Sequence, residues 1–490
     1  MFFLFSSASK SQSNFKSKLK DLQCHFTWAL TRKKSRLLRL KDKLEDIGTK
    51  RGNRWLGHIY NLRGFIEHKL GLNEEAKSLF QKATEALNKL RKADEGPWLV
   101  VNYGNLAWLH HHMGDQAESQ AYLSKVDALM KKYPSPSRDD LHPEICAERA
   151  WTLIKFGKKV LPQAADLFEK AIRMQPHRVE WDSSYVLGLA CASKHSESGV
   201  DANSLKKMKR ARNRDPKNLY LAAVYLTQLA KKEQKVEDEA QKLASQILRN
   251  PVSSYSGIKP LLRLYTKYIS VDEAIDLAEE ALKKHPDERY LKRCVALCYK
   301  WKILFFRESR PRPGMTERAI SLHREVISLY PNSSFVKKID LASVYAKSDK
   351  TKAEEIFQEL LQRDLEPADK QVLYNRFAKY LYHDKQDHQG AMHAEELSIR
   401  NQTTAKKPRP QKLEQDTVNN GGRAAEVITS EVIRWVLKHG VPLQEPNGDV
   451  TQASNIKIYS LWFVLYYRCH TGSGDSFDQS TDCRVSSSTL

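Results

Sequence analysis

Three stretches of the chain carry similar residues at a single spacing, and that spacing leaves few folds open. Ala164, Phe168, Ala171 and Pro176 are separated by 4, 3 and 5 positions. Ala274, Ala278, Ala281 and Pro286 repeat the separation, and so do Ala319, His323, Val326 and Pro331. Positions i, i+4 and i+7 fall on one face of an α-helix. A proline five residues on stops the helix, because it has no N–H to give and its ring crowds the preceding turn. Small residues on such a face mark where a second helix crosses closely, since larger ones would hold the backbones apart.

A partner helix precedes each of these. Gly64, Gly71, Ala76, Phe80 and Ala83 read as a complete early unit, and Leu106, Ala107, Gly114 and Leu123 as another. Ala211 with Pro216, Ala240 with Ala244, and Ala353 with Phe357 mark weaker copies. The pattern is that of the tetratricopeptide unit, a helix–turn–helix of about 34 residues. Second-helix anchors fall near residues 76, 119, 164, 204, 240, 274, 319, 353 and 391, with gaps of 34 to 45 residues that imply insertions at Ser193–Asn203 and Arg307–Gly314. The expected fold is an all-α tetratricopeptide superhelix of eight to nine helix pairs, first helices lining the concave face. Each unit buries its apolar face only against its neighbours.

Three regions are expected: a basic N-terminal helical arm over 1–52, the superhelix over 53–400, and a linker and poorly ordered segment over 401–490. Within the last, Asn401–Gly422 reads as a linker, Glu426–His439 as one amphipathic helix, and Thr471–Leu490 as disordered, rich in Ser, Thr and Asp.

Charge and composition narrow the function. With 81 Lys+Arg against 59 Asp+Glu the net charge is +22, which calls for an anionic partner. The apolar run Phe2–Phe5 has no basic residue before it, and Leu461–Tyr467 is far shorter than the ~20 residues of a spanning helix. A cytoplasmic protein without membrane contact is expected. The seven cysteines are odd in number, widely spaced and without a C-x-x-C, so neither a disulfide framework nor a structural metal is expected. Cys294 and Cys298 share a helix face as a buried apolar pair, and His110, His111 and His112 are consecutive, which keeps them from converging on one metal. Phosphate-loop, dinucleotide, zincin and nucleophile-elbow motifs do not occur, so no cofactor and no catalysis are expected.

The positive charge is patterned. Lys259, Arg263 and Lys267 stand at i, i+4 and i+8, a row that repels itself unless an anion lies alongside, and their first helix points the row into the groove. Lys155, Lys158 and Lys159 follow Trp151 on an earlier first helix, and Lys292 and Arg293 begin a later one. Cations for phosphates beside an aromatic for a base suit single-stranded nucleic acid. A second cluster, Lys206 to Lys217, lies on a second helix and hence the convex side. In the N-terminal 60 residues, 14 Lys or Arg face 4 Asp or Glu; Arg36, Arg39 and Lys43 share a helical face that could close over a bound strand.

Specific motifs carry a resemblance. Cys24-His25-Phe26-Thr27-Trp28 followed by the repeats, Tyr103 to Trp108 (YGNLAW), Trp151 to Gly157 (WTLIKFG), and Asp340-Leu341-Ala342 with Tyr345 resemble the interferon-induced proteins with tetratricopeptide repeats, over residues 18 to 400. The resemblance implies a cytoplasmic, non-enzymatic antiviral protein of innate immunity. It would hold foreign single-stranded RNA by its 5′ end, triphosphorylated or capped, in a basic central groove, and so block translation. It implies Trp151 as the residue stacking on the cap base, Lys155 on the 5′ phosphates, Lys259 at the place of a phosphate-binding arginine, and Arg293 near a histidine lining the tunnel. The family's next tyrosine gives way here to Val160 and Leu161, and its next arginine falls near Cys191. Other family members and the translation machinery are the expected protein partners. The rival reading is a tetratricopeptide adaptor that binds acidic peptides or partner proteins in innate immune signalling.

Overall fold

The computed structural model describes residues 14–406, apart from 49–52, 91–95, 138–140, 194–195, 197 and 307–313. Among the described residues every regular element is helical. A short helix α1 (residues 14–21) is followed by a turn through Cys24–Trp28 and by α2 (Lys34–Glu45). Nine antiparallel pairs then succeed one another: α3 (Leu56–Lys69) with α4 (Asn73–Leu90), α5 (Val100–His112) with α6 (Gln116–Lys132), α7 (Pro143–Lys155) with α8 (Leu161–Met174), and α9 (Val179–Ala192) with α10 (Ala202–Arg214). After these come α11 (Leu219–Ala230) with α12 (Glu237–Ile247), α13 (Ile258–Tyr268) with α14 (Val271–Lys284), α15 (Arg289–Phe305) with α16 (Met315–Leu329), α17 (Ser334–Tyr345) with α18 (Lys350–Leu361), and α19 (Pro367–Tyr380) with α20 (His388–Lys406). All nine expected anchors sit in the first turn or so of a second helix.

The repeated spacing does what its geometry requires. Ala164, Phe168 and Ala171 are fully buried, as are Ala274, Ala278 and Ala281, and Ala319, His323 and Val326. One continuous core runs from the N-terminal turn to α17, and a second cluster continues it through α20. Deleting such a ring, as in Phe168→Ala, leaves a cavity between two helix pairs and costs about 3–5 kcal/mol.

Two expectations need correction. The polar stretch placed in a linker from Asn401 is still helical to Lys406, at the end of α20; the rest of that linker, the amphipathic helix and the disordered tail expected over 407–490, and most of Arg307–Gly314, lie outside the described residues. The basic N-terminal helix is also not a projecting arm. Leu37, Leu40 and Leu44 of α2 are buried in the main core, so the helix runs within the coil of repeats.

Polar bonds tie α2 to units distant in sequence. Lys41 pairs with Glu67 of α3 at 2.8 Å and Arg39 with Asp369 of α19 at 2.9 Å, while Ser35 donates to Glu366 at 2.8 Å. Buried Asp46 is the densest node. It accepts from the Tyr330 hydroxyl at 2.7 Å and pairs with Arg289 and Arg293, each at 3.1 Å. Asp42, one turn back, accepts from the Ser333 hydroxyl. The backbone carbonyls of Asp46 and Ile47 accept from the Ser254 N–H (2.8 Å) and the Ser253 hydroxyl (2.6 Å).

The Cys24–Trp28 turn is a second clamp. His25 is fully buried, and burial pushes its imidazole down to about 3, so the ring is neutral. Its backbone N–H donates to the Asn105 side-chain oxygen Oδ1 (3.0 Å), which turns the Asn105 side-chain amide N–H toward Nδ1 (3.1 Å). Nε2 then carries the proton and donates to the Thr152 hydroxyl at 3.2 Å. Two consecutive first helices, α5 and α7, are thereby joined through one ring. Gly104 has no Cβ because one would lie 3.0 Å from that of Cys24.

Removing the carboxylate of Asp46 leaves two half-buried guanidinium groups and a buried phenol without their shared partner, although Arg289 keeps Glu45 at 3.2 Å. Asp46→Ala is expected to destabilise the chain by about 3 kcal/mol, read as a lowered denaturation midpoint. Asp46→Asn retains an acceptor for Tyr330 and is expected to cost less.

Candidate nucleic-acid interface

The first helices enclose a cavity of about 1110 Å³. Fifteen Lys or Arg and five Asp or Glu line it, more than half of them on α2, α7, α9, α13, α15 and α17. All eight residues named from the sequence (Trp151, Lys155, Lys259, Arg263, Lys267, Arg293, Arg39 and Lys43) fall on this one lining. Their states there differ.

Lys155 is the last residue of α7, where a cation meets the negative end of the helix. Its ammonium lies 4.8 Å from the centre of the Trp151 ring and makes no ion pair among the described residues. Burial lowers its pKa to about 8, so the group keeps its charge near neutrality at a desolvation cost that an anion would relieve. The turn after it is built for this position. Arg32 donates to the Lys155 carbonyl at 2.8 Å and stacks over Phe156, and Gly157 takes φ +112°, where a Cβ would approach that same guanidinium. Arg32 of the N-terminal basic run thus supports the site from behind.

On α13, Lys259, Arg263 and Lys267 are half-buried along the cavity wall while Leu261, Leu262, Leu264 and Tyr265 enter the core. Lys267 lies 5.6 Å from the Trp301 ring. Arg263 makes no ion pair among the described residues. A row of like charges held half-buried is unfavourable in isolation and favourable around an anion.

Three placements differ from what the sequence led us to expect. Arg293 is bound to Asp46 and Arg39 to Asp369, so both spend charge on holding α2 in place. The Trp151 indole is only 2% exposed, because Trp55 stacks on it with ring centres 5.5 Å apart and planes 12° apart. Trp55, Tyr255 and Lys337 escaped the sequence reading: they lie far from Trp151 and Arg293 along the chain and carry no repeat spacing. Lys337 is held over the Tyr330 ring at 4.4 Å, and burial pushes its pKa down to about 7.

Comparison with known proteins agrees with this architecture. A tetratricopeptide-repeat model matches residues 55–132. The human antiviral innate immune response effector IFIT1 is 30% identical over 71% of this chain and 75% of its own length. The chain belongs to the interferon-induced proteins with tetratricopeptide repeats. A second human member, interferon-induced protein with tetratricopeptide repeats 2, is 27% identical over 90% of this chain and 95% of its own. Among solved structures, a human IFIT1 dimer with m7Gppp-AAAA superposes with a TM-score of 0.63 at 25% identity, covering 92% of this chain and 95% of that one. A human IFIT1 dimer with PPP-AAAA superposes with a TM-score of 0.59 at 25% identity, covering 87% and 92%. The described residues hold no grouping of His, Cys, Asp and Glu suited to a metal, and no helix among them is long and apolar enough to cross a membrane.

The depressed pKa of Lys155 is directly measurable. Its acylation by an amine-reactive reagent, followed by peptide mass spectrometry, is expected to level off above about pH 8. That of a free lysine derivative in the same reaction should keep rising toward the ordinary lysine range, roughly pH 10.4.

Proposed function

We propose that this chain is a non-enzymatic antiviral RNA-binding protein of the interferon response. It holds foreign single-stranded RNA by its 5′ end in the basic cavity and blocks its translation by keeping that end from the translation machinery. The observation that carries this reading is the imbalance of the cavity wall: fifteen cations to five carboxylates. Lys155 and Arg263 are turned into it without a carboxylate partner among the described residues. The antiviral IFIT1 relative and the IFIT1 structures with m7Gppp-AAAA and PPP-AAAA support the same reading.

The work of the site is electrostatic and requires no bond to be made or broken. An RNA 5′ end brings several phosphate charges close together. They replace lost water around half-buried ammonium and guanidinium groups, and counterions leave both partners. Lys155 and Lys158 suit the terminal phosphates, and the α13 row suits the following backbone. It acts in the cytosol, where translation takes place, and pairs with other family members.

The test is a fluorescence titration at matched salt with one short RNA bearing a 5′-triphosphate, a cap or a 5′-hydroxyl, and with an acidic peptide. Preference for a phosphorylated or capped end is expected. Lys155→Glu and Arg263→Glu should each weaken that binding by about tenfold or more and flatten its salt dependence, with helicity unchanged. Affinity should also fall as pH rises through about 8, where Lys155 loses its proton, and Lys155→Arg should abolish that fall. Equal retention of all three RNAs with tight peptide binding would mean an adaptor instead.

A further inference from the structure

We infer that Trp55 fills the place a cap base would take against Trp151, and so makes this cavity selective for an uncapped, phosphorylated 5′ end; the inference rests on the RNA-binding reading above.

A base gains from an aromatic side chain by lying flat on its face. Here that face is taken. The two indoles are nearly parallel, Trp151 is 2% exposed and Trp55 8% exposed. Other contacts fix both rings. The edge of Trp55 meets the His58 ring at 4.8 Å and 67°, and His58 itself faces the buried Glu148 at 3.6 Å. The Lys155 ammonium lies 4.8 Å from the centre of the Trp151 ring.

An incoming base must therefore break one stack to make another. What it gains on Trp151 is what Trp55 gives up, and Trp55 is left in water with its apolar surface exposed. Phosphates face no such exchange, because Lys155 and Lys158 line the same end of the cavity and Lys155 makes no ion pair among the described residues. A triphosphate end places only charge there. A cap adds a base beyond the phosphates, where the paired indoles stand. Trp55 is thus a specificity-determining residue: it supplies internally the stacking that a cap would otherwise supply.

The experiment measures Kd of the full chain, Trp55→Ala and Trp55→Leu for one short RNA with a 5′-triphosphate, a cap or a 5′-hydroxyl. Trp55→Leu fills most of the space without a planar ring, and far-ultraviolet circular dichroism confirms that both variants fold. The wild type is expected to favour the triphosphate over the cap. Both variants should shift that ratio toward the cap by about tenfold, the order of one base stack, with triphosphate affinity little changed. The near-ultraviolet signal of the coupled indoles should disappear in both. If phosphorylated ends bind better than the hydroxyl but the wild type prefers the cap, or the ratio is the same in all three proteins, the role of Trp55 is overturned while RNA binding stands. If neither the triphosphate nor the capped RNA exceeds the hydroxyl RNA, the RNA reading itself fails and this inference with it.

Discussion

A helix pair of this kind cannot bury its apolar face alone, and that constraint organises the molecule. Each pair covers the exposed face of the one before it, so the core is a ribbon that runs the length of the array. The small residues that recur at fixed spacing set how closely successive helices approach. A coil built this way is hollow, and a hollow without further bracing is open to bending. The polar bonds of α2 supply bracing that the repeats do not. One twelve-residue helix is bonded to α3, α15 and α19 at once, and its buried carboxylates draw in Arg289, Arg293 and Tyr330 from the opposite wall.

The brace and the binding surface draw on the same supply of cations. A basic lining is costly to assemble, since each half-buried charge loses water. The structure divides that cost. Arg293 and Arg39 are neutralised and become structural, whereas Lys155 and Arg263 are left facing the cavity. The net positive field inside the coil is what remains after the internal bonds of α2 are made. Function and stability therefore meet at Asp46: the carboxylate that secures the N-terminal helix also removes charge from the wall.

Aromatic residues show a comparable division. His25 and the turn around it lock α5 to α7, which sets Trp151 in register one helix pair later. Trp151 is then claimed by Trp55. A motif that a sequence presents as a ligand platform is, in this chain, already part of a packed stack.

The sequence by itself determined the repeat. Spacing of Ala, Phe and Pro is a local property, dictated by 3.6 residues per turn, and it located all nine second helices and the helices that carry Lys155 and the Lys259–Lys267 row. It also determined which wall those cations face, because a first helix in such a unit has one choice. What only the tertiary structure decided is which charges and rings are already satisfied. Arg39 meets Asp369, Arg293 meets Asp46, and Trp55 meets Trp151 across separations that no local periodicity encodes. Helical spacing reports the direction in which a side chain points; whether a partner waits there depends on how the whole coil closes.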